Sequence, residues 1–286
     1  MDVAFPPFLE DLNWIAVDTE TSGTNPWKYE IIEIGAVRFS IDKEIDHFQI
    51  LIKPEKKQDP KARTIHNISE EELDEKGVTS LEAMEKFLAF IGDDPLVFHN
   101  APFDIAFFKI TANLHNLKLP NNIYYDTLFL SRTYLPDMAS YALDSLRKVL
   151  KIQSGPAHRA LSDAVATASV FSHILKTHAE KFASRRRLKT FLRYHRKFSA
   201  FEVKVPEDFD RINSYFQRFV QTNSFIKVTY YDKNNRKLTK TVFPLEILVF
   251  NQILYLKTKS MGEEEPALIK IQGSIFYDPD LGPLTF

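Results

Sequence analysis

Three apolar runs of strand length follow one another near the start of the chain, and this succession constrains the fold more than any other feature. Residues 14–17 (WIAV) run into Asp18. Residues 31–39 (IIEIGAVRF) and 45–52 (IDHFQILI) come next, with Asp42 and Lys43 in the short gap between them. Consecutive strands joined by a turn-length gap pair antiparallel. The text then alternates. Ser80 is a good N-cap, and Leu81, Met84, Phe87, Leu88 and Ile91 follow helical spacing, which predicts a helix over 80–90. Residues 96–98 after Pro95 read as a short strand. Pro102 suits the first turn of a helix whose apolar residues run from Phe103 to Leu117. Residues 123–125 read as a strand, with Asp126 placed to cap the helix behind it. Further helices are predicted around 141–150 and 160–178. Strands first, then alternating helix and strand, predict an α/β layer whose mixed sheet begins antiparallel.

The pattern changes after residue 180. The chain has 286 residues, close to twice a typical domain of ~150. Residues 1–180 hold 18 Lys and Arg against 27 Asp and Glu, residues 181–200 hold eight bases and no acid, and residues 201–286 hold 11 of each. In the basic stretch Phe182, Leu188, Phe191, Leu192 and Phe198 fall near helical spacing, between Arg185, Arg186, Arg187, Arg193, Arg196 and Lys197. This reads as an amphipathic linker helix, with a second helix over 209–220. From 225 onward short strands recur at 225–231, 238–243, 246–250, 253–258 and 267–271, with a turn at 232–235, which predicts a small β-barrel or sandwich. The expected organisation is therefore 1–180, a basic helical linker at 181–222, and a β module at 223–286.

Composition removes several classes. With no cysteine there is no disulfide scaffold and no thiolate metal site. The longest stretch free of charged side chains, 164–175, is 12 residues, short of the ~20 that span a bilayer. The first residues, MDVAFPPFLEDLNW, lack the basic head and apolar run of a signal peptide. A cytoplasmic protein with no membrane partner is expected.

Acids cluster in three settings. Asp18-Thr19-Glu20 ends the first strand, where residues i and i+2 point to one side. His99 to Asp104 lies at a strand-to-helix switch. His158 to Asp163 leads into a helix in which Ala164, Ala166 and Ala168 permit close approach to a sheet. Carboxylates gathered at one pole repel unless cations sit among them, and oxygen donors without cysteine favour Mg²⁺ or Mn²⁺ over zinc.

These segments, taken in order over roughly 12–178, closely resemble the DEDDh family of 3′→5′ exonucleases, which includes proofreading subunits of bacterial replicative polymerases, RNase T and oligoribonuclease. The resemblance rests on Asp18 to Gly23, IIEIGAV at 31–37, Ile65-His66, His99 to Asp104, Tyr125 to Thr127, and His158 to Ala164. A His five residues before the final Asp marks the h branch. The resemblance implies an RNase H-like mixed sheet with flanking helices and five catalytic residues: Asp18, Glu20, Asp104, His158 and Asp163. Asp18, Glu20, Asp104 and Asp163 would hold two Mg²⁺ or Mn²⁺ ions, with His158 as general base. Thr21, Ser22, Gly23, Ile65, His66, Asn100 and Phe103 would line the pocket for the terminal nucleotide of single-stranded DNA or RNA, and the product would be a nucleoside 5′-monophosphate. Asn67 stands where relatives often have Gly, and Thr24 where they often have Leu. Asp126 and Asp144 read as caps or hydrogen-bond anchors.

The C-terminal part resembles a WYL domain, an Sm- or SH3-like barrel that binds nucleic acid or small ligands. The pattern is an extended 226–230, Pro244-Leu245, Leu254-Tyr255-Leu256 and Ile269-Lys270-Ile271, with Leu254 in place of the defining Trp and Lys270 in place of an Arg. Two other readings stay open: a nucleic-acid or ligand-sensing regulator with a weak or inactive nuclease domain, and a clearing enzyme for short oligonucleotides. A homodimer is compatible with each.

Overall fold

The computed structural model describes residues 7–9, 11–41, 43–182, 184–192, 196–202, 209–232, 235–250, 253–260 and 266–285. Asp42 and Arg193 of the expected turn and linker lie outside these residues. The chain divides into two compact units, Met1–Val203 and Lys204–Phe286.

The first unit is built on a six-stranded mixed sheet. In chain order its elements are β1 (Trp14–Thr21), β2 (Ile31–Phe39), β3 (Glu44–Leu51), α1 (Pro60–His66), α2 (Glu70–Lys76), α3 (Ser80–Ile91), β4 (Leu96–Phe98), α4 (Ala101–Leu114), β5 (Ile123–Asp126), α5 (Thr127–Tyr134), α6 (Leu143–Val149), α7 (Ala160–Thr177), α8 (Arg185–Phe191) and β6 (Arg196–Lys197). The strand order is β3-β2-β1-β4-β5-β6. β1, β2 and β3 pair antiparallel, and β4 and β5 run parallel to β1. The sheet thus begins antiparallel, as the strand succession predicts.

Alternation along β1 splits the core into two layers. Trp14 and Ala16 pack with Val37, Phe39, Phe171 and Ile174 on the face covered by α7, whereas Ile15 and Val17 pack with Met84, Phe87, Phe107 and Phe108 on the face covered by α3 and α4. Continuing the same alternation, Asp18 and Glu20 fall on the α7 face. Gly35 of β2, the register partner of Asp18, lets α7 lie directly on the strand. A Cβ there would come within 2.1 Å of the Ala160 and Leu161 backbone.

Several details depart from the sequence reading. Thr79, rather than Ser80, caps α3, its side chain accepting from the Glu82 N–H. Helices α1 and α2 fill a stretch that shows no clear period, each held by a side-chain cap, Asp59 and Ser69. The largest difference concerns the basic stretch. Leu188, Phe191 and Leu192 belong to the α7-side core with Phe182, Phe198 packs into the opposite layer against Phe98 and Phe108, and β6 pairs with β5. Residues 181–200 therefore belong to the first unit. A basic amphipathic helix has the same pattern whether its apolar face docks or spans a gap, and here each buried Leu or Phe contributes ~1.5–3 kcal/mol to docking.

The second unit holds α9 (Phe209–Gln221) and an antiparallel sheet of β7 (Ile226–Tyr231), β8 (Lys237–Phe250), β9 (Ile253–Ser260), β10 (Ala267–Lys270), β11 (Ile275–Asp278) and β12 (Gly282–Thr285), ordered β10-β9-β8-β7-β11-β12. Ile212, Phe216 and Phe219 of α9 share a core with Ile226, Val228, Leu254, Leu256 and Phe276. The two runs expected at 238–243 and 246–250 form one long strand with a register shift between Pro244 and Glu246. Among the described residues β10 and β12 end the sheet without pairing to each other. Nor is any helix among them long and apolar enough to cross a membrane.

Candidate active site

Three chain segments distant in sequence bring acids to the C-terminal end of β1. β1 supplies Asp18 and Glu20, the first turn of α4 supplies Asp104, and the first turn of α7 supplies Asp163. Asp104 is 3% exposed and is tied to β1 through its Oδ1, which accepts from the Thr19 N–H at 3.0 Å and the Thr19 hydroxyl at 2.7 Å. Asn100 precedes α4 in the left-handed region at φ 68°. Asp126 accepts from the N–H groups of Asn100 and Ala101 while capping α5 through the Leu128 N–H. These bonds fix where the α4 N-terminus meets the sheet.

α7 is positioned by a residue the sequence reading passed over. Glu33 is fully buried on β2, where its carboxylate accepts from the Ala160 N–H at 3.0 Å, from the Arg159 guanidinium and from the Gln49 amide at 2.6 Å. A single acid inside the apolar run IIEIGAV was its signal. Together with Gly35, Glu33 sets the first turn of α7, and hence Asp163, against the end of β1.

His158 stands just ahead of α7 at φ 60°. Its backbone N–H donates to Asp163 Oδ2 at 3.2 Å, and its Nε2 lies 3.5 Å from Asp144 Oδ2. The other Asp163 oxygen accepts from Arg147 at 2.6 Å. Arg147 is itself held by the Ser154 hydroxyl and by the carbonyls of Gly155 and Ser162. Neither Arg147 nor the His158–Asp144 contact had a local signal in the sequence, because both arise from folding 144–163 back on itself.

The electrostatics are those of a cation site. Burial and then the charges of Asp104, Asp163, Glu20 and Glu33 push the Asp18 carboxyl well above the usual range. Burial, with Asp163, Glu33 and Asp104, raises Glu20 to about 8, against a lowering pull from Arg159. Burial raises Asp104 to about 7 despite its bonds from Thr19. Burial also raises Asp163, opposed chiefly by Arg147. Ligand atoms of Glu20, His158 and Asp163 lie within 4.8 Å of one another. Crowded oxygen donors with one imidazole and no thiolate fit a hard divalent cation, and such a cation would relieve the repulsion among the acids.

The residues expected at the nucleotide pocket divide. Thr21 bonds the Gly23 carbonyl at 2.8 Å, Ser22 is buried, and a Cβ on Gly23 would strike the Tyr29 ring at 2.4 Å. His66 is 2% exposed. Its Nδ1 accepts from the Ile68 N–H at 3.0 Å, which leaves the proton on Nε2, and that atom is buried without a partner. Burial lowers the proton affinity of this ring, so it is a neutral donor. Glu33, Arg159 and His158 all act on it electrostatically, placing it beside the acidic cluster. Ile65, by contrast, is 52% exposed. Asn100 is exposed, and Phe103 is partly buried with its ring 5.2 Å from Phe107. Asn67 adopts φ 55° as the α1 C-cap, a position where Gly and Asn are the favoured residues.

A mixed α/β sheet with acids converging at one strand end from β1, α4 and α7 defines a nuclease of the RNase H-like class. The exonuclease family model, RNase T, matches residues 15–171, and the chain belongs to this DEDDh-type family. The DNA polymerase III subunit epsilon of Rickettsia typhi is 38% identical over 174 residues, covering 57% of this chain and 74% of that protein. The PolC-type DNA polymerase III of Thermotoga maritima is 37% identical over 161 residues, 56% of this chain, but the chain spans only 12% of that polymerase. Among solved structures, exonuclease X in complex with 5′-overhanging duplex DNA superposes with a TM-score of 0.50 at 26% identity, covering 63% of this chain and 99% of the other. E. coli exonuclease I in a complex with single-stranded DNA shares the fold at a TM-score of 0.53 and 18% identity, over 86% of this chain and 54% of that one.

Proposed function

We propose that the chain is a divalent-metal-dependent 3′→5′ exonuclease that releases nucleoside 5′-monophosphates from single-stranded DNA or RNA. The observation that carries this reading is the meeting of Asp18, Glu20, Asp104 and Asp163 beside His158, with no member replaced. Asp18, Glu20, Asp104 and Asp163 would hold Mg²⁺ or Mn²⁺. When bound, two such ions activate water and stabilise charge on the leaving 3′-oxygen.

The chain's own groups do the rest. His158 accepts the proton of the attacking water, a task suited to imidazole near neutral pH. Asp144, 3.5 Å from its Nε2, orients the ring. His66 offers its unpartnered Nε2–H to a substrate oxygen, and Phe103 offers a ring face to the terminal base. Thr21, Ser22, Gly23, Ile65 and Asn100 complete the proposed pocket.

The second unit is proposed as a WYL-like β module, an assignment supported by Leu254-Tyr255-Leu256 on β9, within an antiparallel sheet whose core α9 shares. The deciding experiment follows 5′-labelled single strands of DNA and RNA with Mg²⁺ or with excess EDTA. Stepwise shortening from the 3′ end in Mg²⁺ alone is expected. Internal cuts, or full activity in EDTA, would refute the reading.

A further inference from the structure

The cations of the basic stretch are not spread over a linker. Lys181 and the cations of α8 form one pole of the first unit. α7 carries Asp163 in its first turn, and Lys181 and α8 follow its far end. From Asp163 to Thr177 the helix spans ~21 Å at ~1.5 Å per residue. At that far end Arg185, Arg186, Arg187 and Lys189 are all exposed, and so is Lys181. No carboxylate among the described residues pairs with the four α8 cations, and residues 181–200 contain no acid. Leu188 and Phe191 anchor the other side of α8 in the core, so its charged side is held outward.

The pole also has shape. Arg187, Lys181 and Thr190 border a cavity of ≈ 320 Å³ whose remaining walls are Tyr134 and Phe191. Those two rings stack at 4.2 Å, and the Lys181 ammonium lies 5.8 Å from the Tyr134 ring. Cations beside aromatic faces suit phosphate and base together. The rest of the first unit cannot supply this attraction, since residues 1–180 carry a large excess of acid.

We propose that α8 and Lys181 form a second contact for nucleic acid, gripping the backbone phosphates of a single strand whose 3′ end lies at the Asp18–Asp163 cluster. The proposal rests on the exonuclease reading and adds a length rule. A stacked strand advances ~3.4 Å per phosphate, so about six nucleotides are needed to reach from one pole to the other. Shorter strands engage only the acidic end, and longer ones gain affinity that salt removes.

The test uses the full chain and the variant Arg185→Gln/Arg186→Gln/Arg187→Gln/Lys189→Gln, with helicity and thermal unfolding checked first. Gln keeps helix propensity while removing charge. Anisotropy of labelled 4- and 30-nucleotide dT and rU strands is read in EDTA from 50 to 200 mM salt. The kcat/KM advantage of the 30-mer over the 4-mer is then read in Mg²⁺. The variant is expected to bind 30-mers about tenfold more weakly at 100 mM salt, with a log–log salt slope shallower by about 2–3, near 0.7 per lost phosphate contact. The 30-mer advantage should shrink with it.

Equal affinity and slope for parent and variant would overturn the proposal, as would a parent that binds polyglutamate through α8 but not the strands. A parent that binds 30-mers through α8 yet shortens no strand in Mg²⁺ would leave this surface standing and refute the exonuclease reading alone.

Discussion

Arg147 and Asp163 form an ion pair at 2.6 Å in which both side chains are about 90% buried. The guanidinium takes Asp163 Oδ1 and leaves Oδ2 to accept from the His158 N–H, so one fixed cation both orients this acid and offsets its charge. The structure therefore balances the acidic cluster on the α7 side with a resident positive charge.

Replacing Arg147 with Met should strand a buried carboxylate. Stability in EDTA is expected to fall by about 3–5 kcal/mol, the usual cost of removing one partner of a buried pair. With Mg²⁺ present the loss should be smaller, because a bound cation also partners Asp163. Urea unfolding of both proteins, with and without Mg²⁺, measures this. Equal stability in EDTA would show that Asp163 simply takes up a proton.

His158→Ala should lower kcat by about 10²–10⁴-fold, the worth of a general base, while Mn²⁺ binding weakens less than it does in Asp18→Ala. Asp144→Asn should cost about 10–100-fold in kcat through loss of ring orientation. Wild-type turnover in His158→Ala would place the base elsewhere.

The stability of the metal-free protein should fall as pH rises. Glu20 holds its proton to about 8 and Asp104 to about 7 in the folded state, whereas the unfolded chain releases both near ~4. Between those values the native state binds more protons than the unfolded one, so each step up in pH favours unfolding until the folded groups have ionised. Stabilisation by Mg²⁺ should grow over the same window as the cation takes the place of protons. Melting temperatures from pH 5 to 9 in EDTA and in Mg²⁺ check both statements, and Glu20→Gln should flatten the EDTA curve. A slope unchanged by Glu20→Gln would remove Glu20 from this account.

A fragment ending at residue 203 should fold on its own, and one ending at 180 should not. The shorter fragment lacks Phe182, Leu188, Phe191, Leu192 and Phe198, all buried in the two layers of the first unit. Circular dichroism and cooperative thermal unfolding would tell them apart. A cooperative transition in the 1–180 fragment would make α8 and β6 accessory.

Much of the first unit was legible in the sequence because its signals are local. Apolar runs of strand length placed β1 and β2, helical spacing placed α3, Pro102 marked the start of α4, and Asp126 announced its own cap. The i, i+2 rule set Asp18 and Glu20 on one side of a strand, and the ordered motifs led to Asp104, His158 and Asp163 as candidates. Other relationships depended on the fold. Arg147 meets Asp163 across 16 residues and Glu33 meets Ala160 across 127, and nothing in either neighbourhood encodes its partner. The fate of the basic stretch was likewise undetermined, since Leu188 and Phe191 have the same spacing on a docked helix as on a free one. Local pattern specifies backbone geometry and the side on which a residue lies. Which surface that side meets, and which charge is left buried beside which, depends on packing between segments far apart in the chain, and only the tertiary structure decides it.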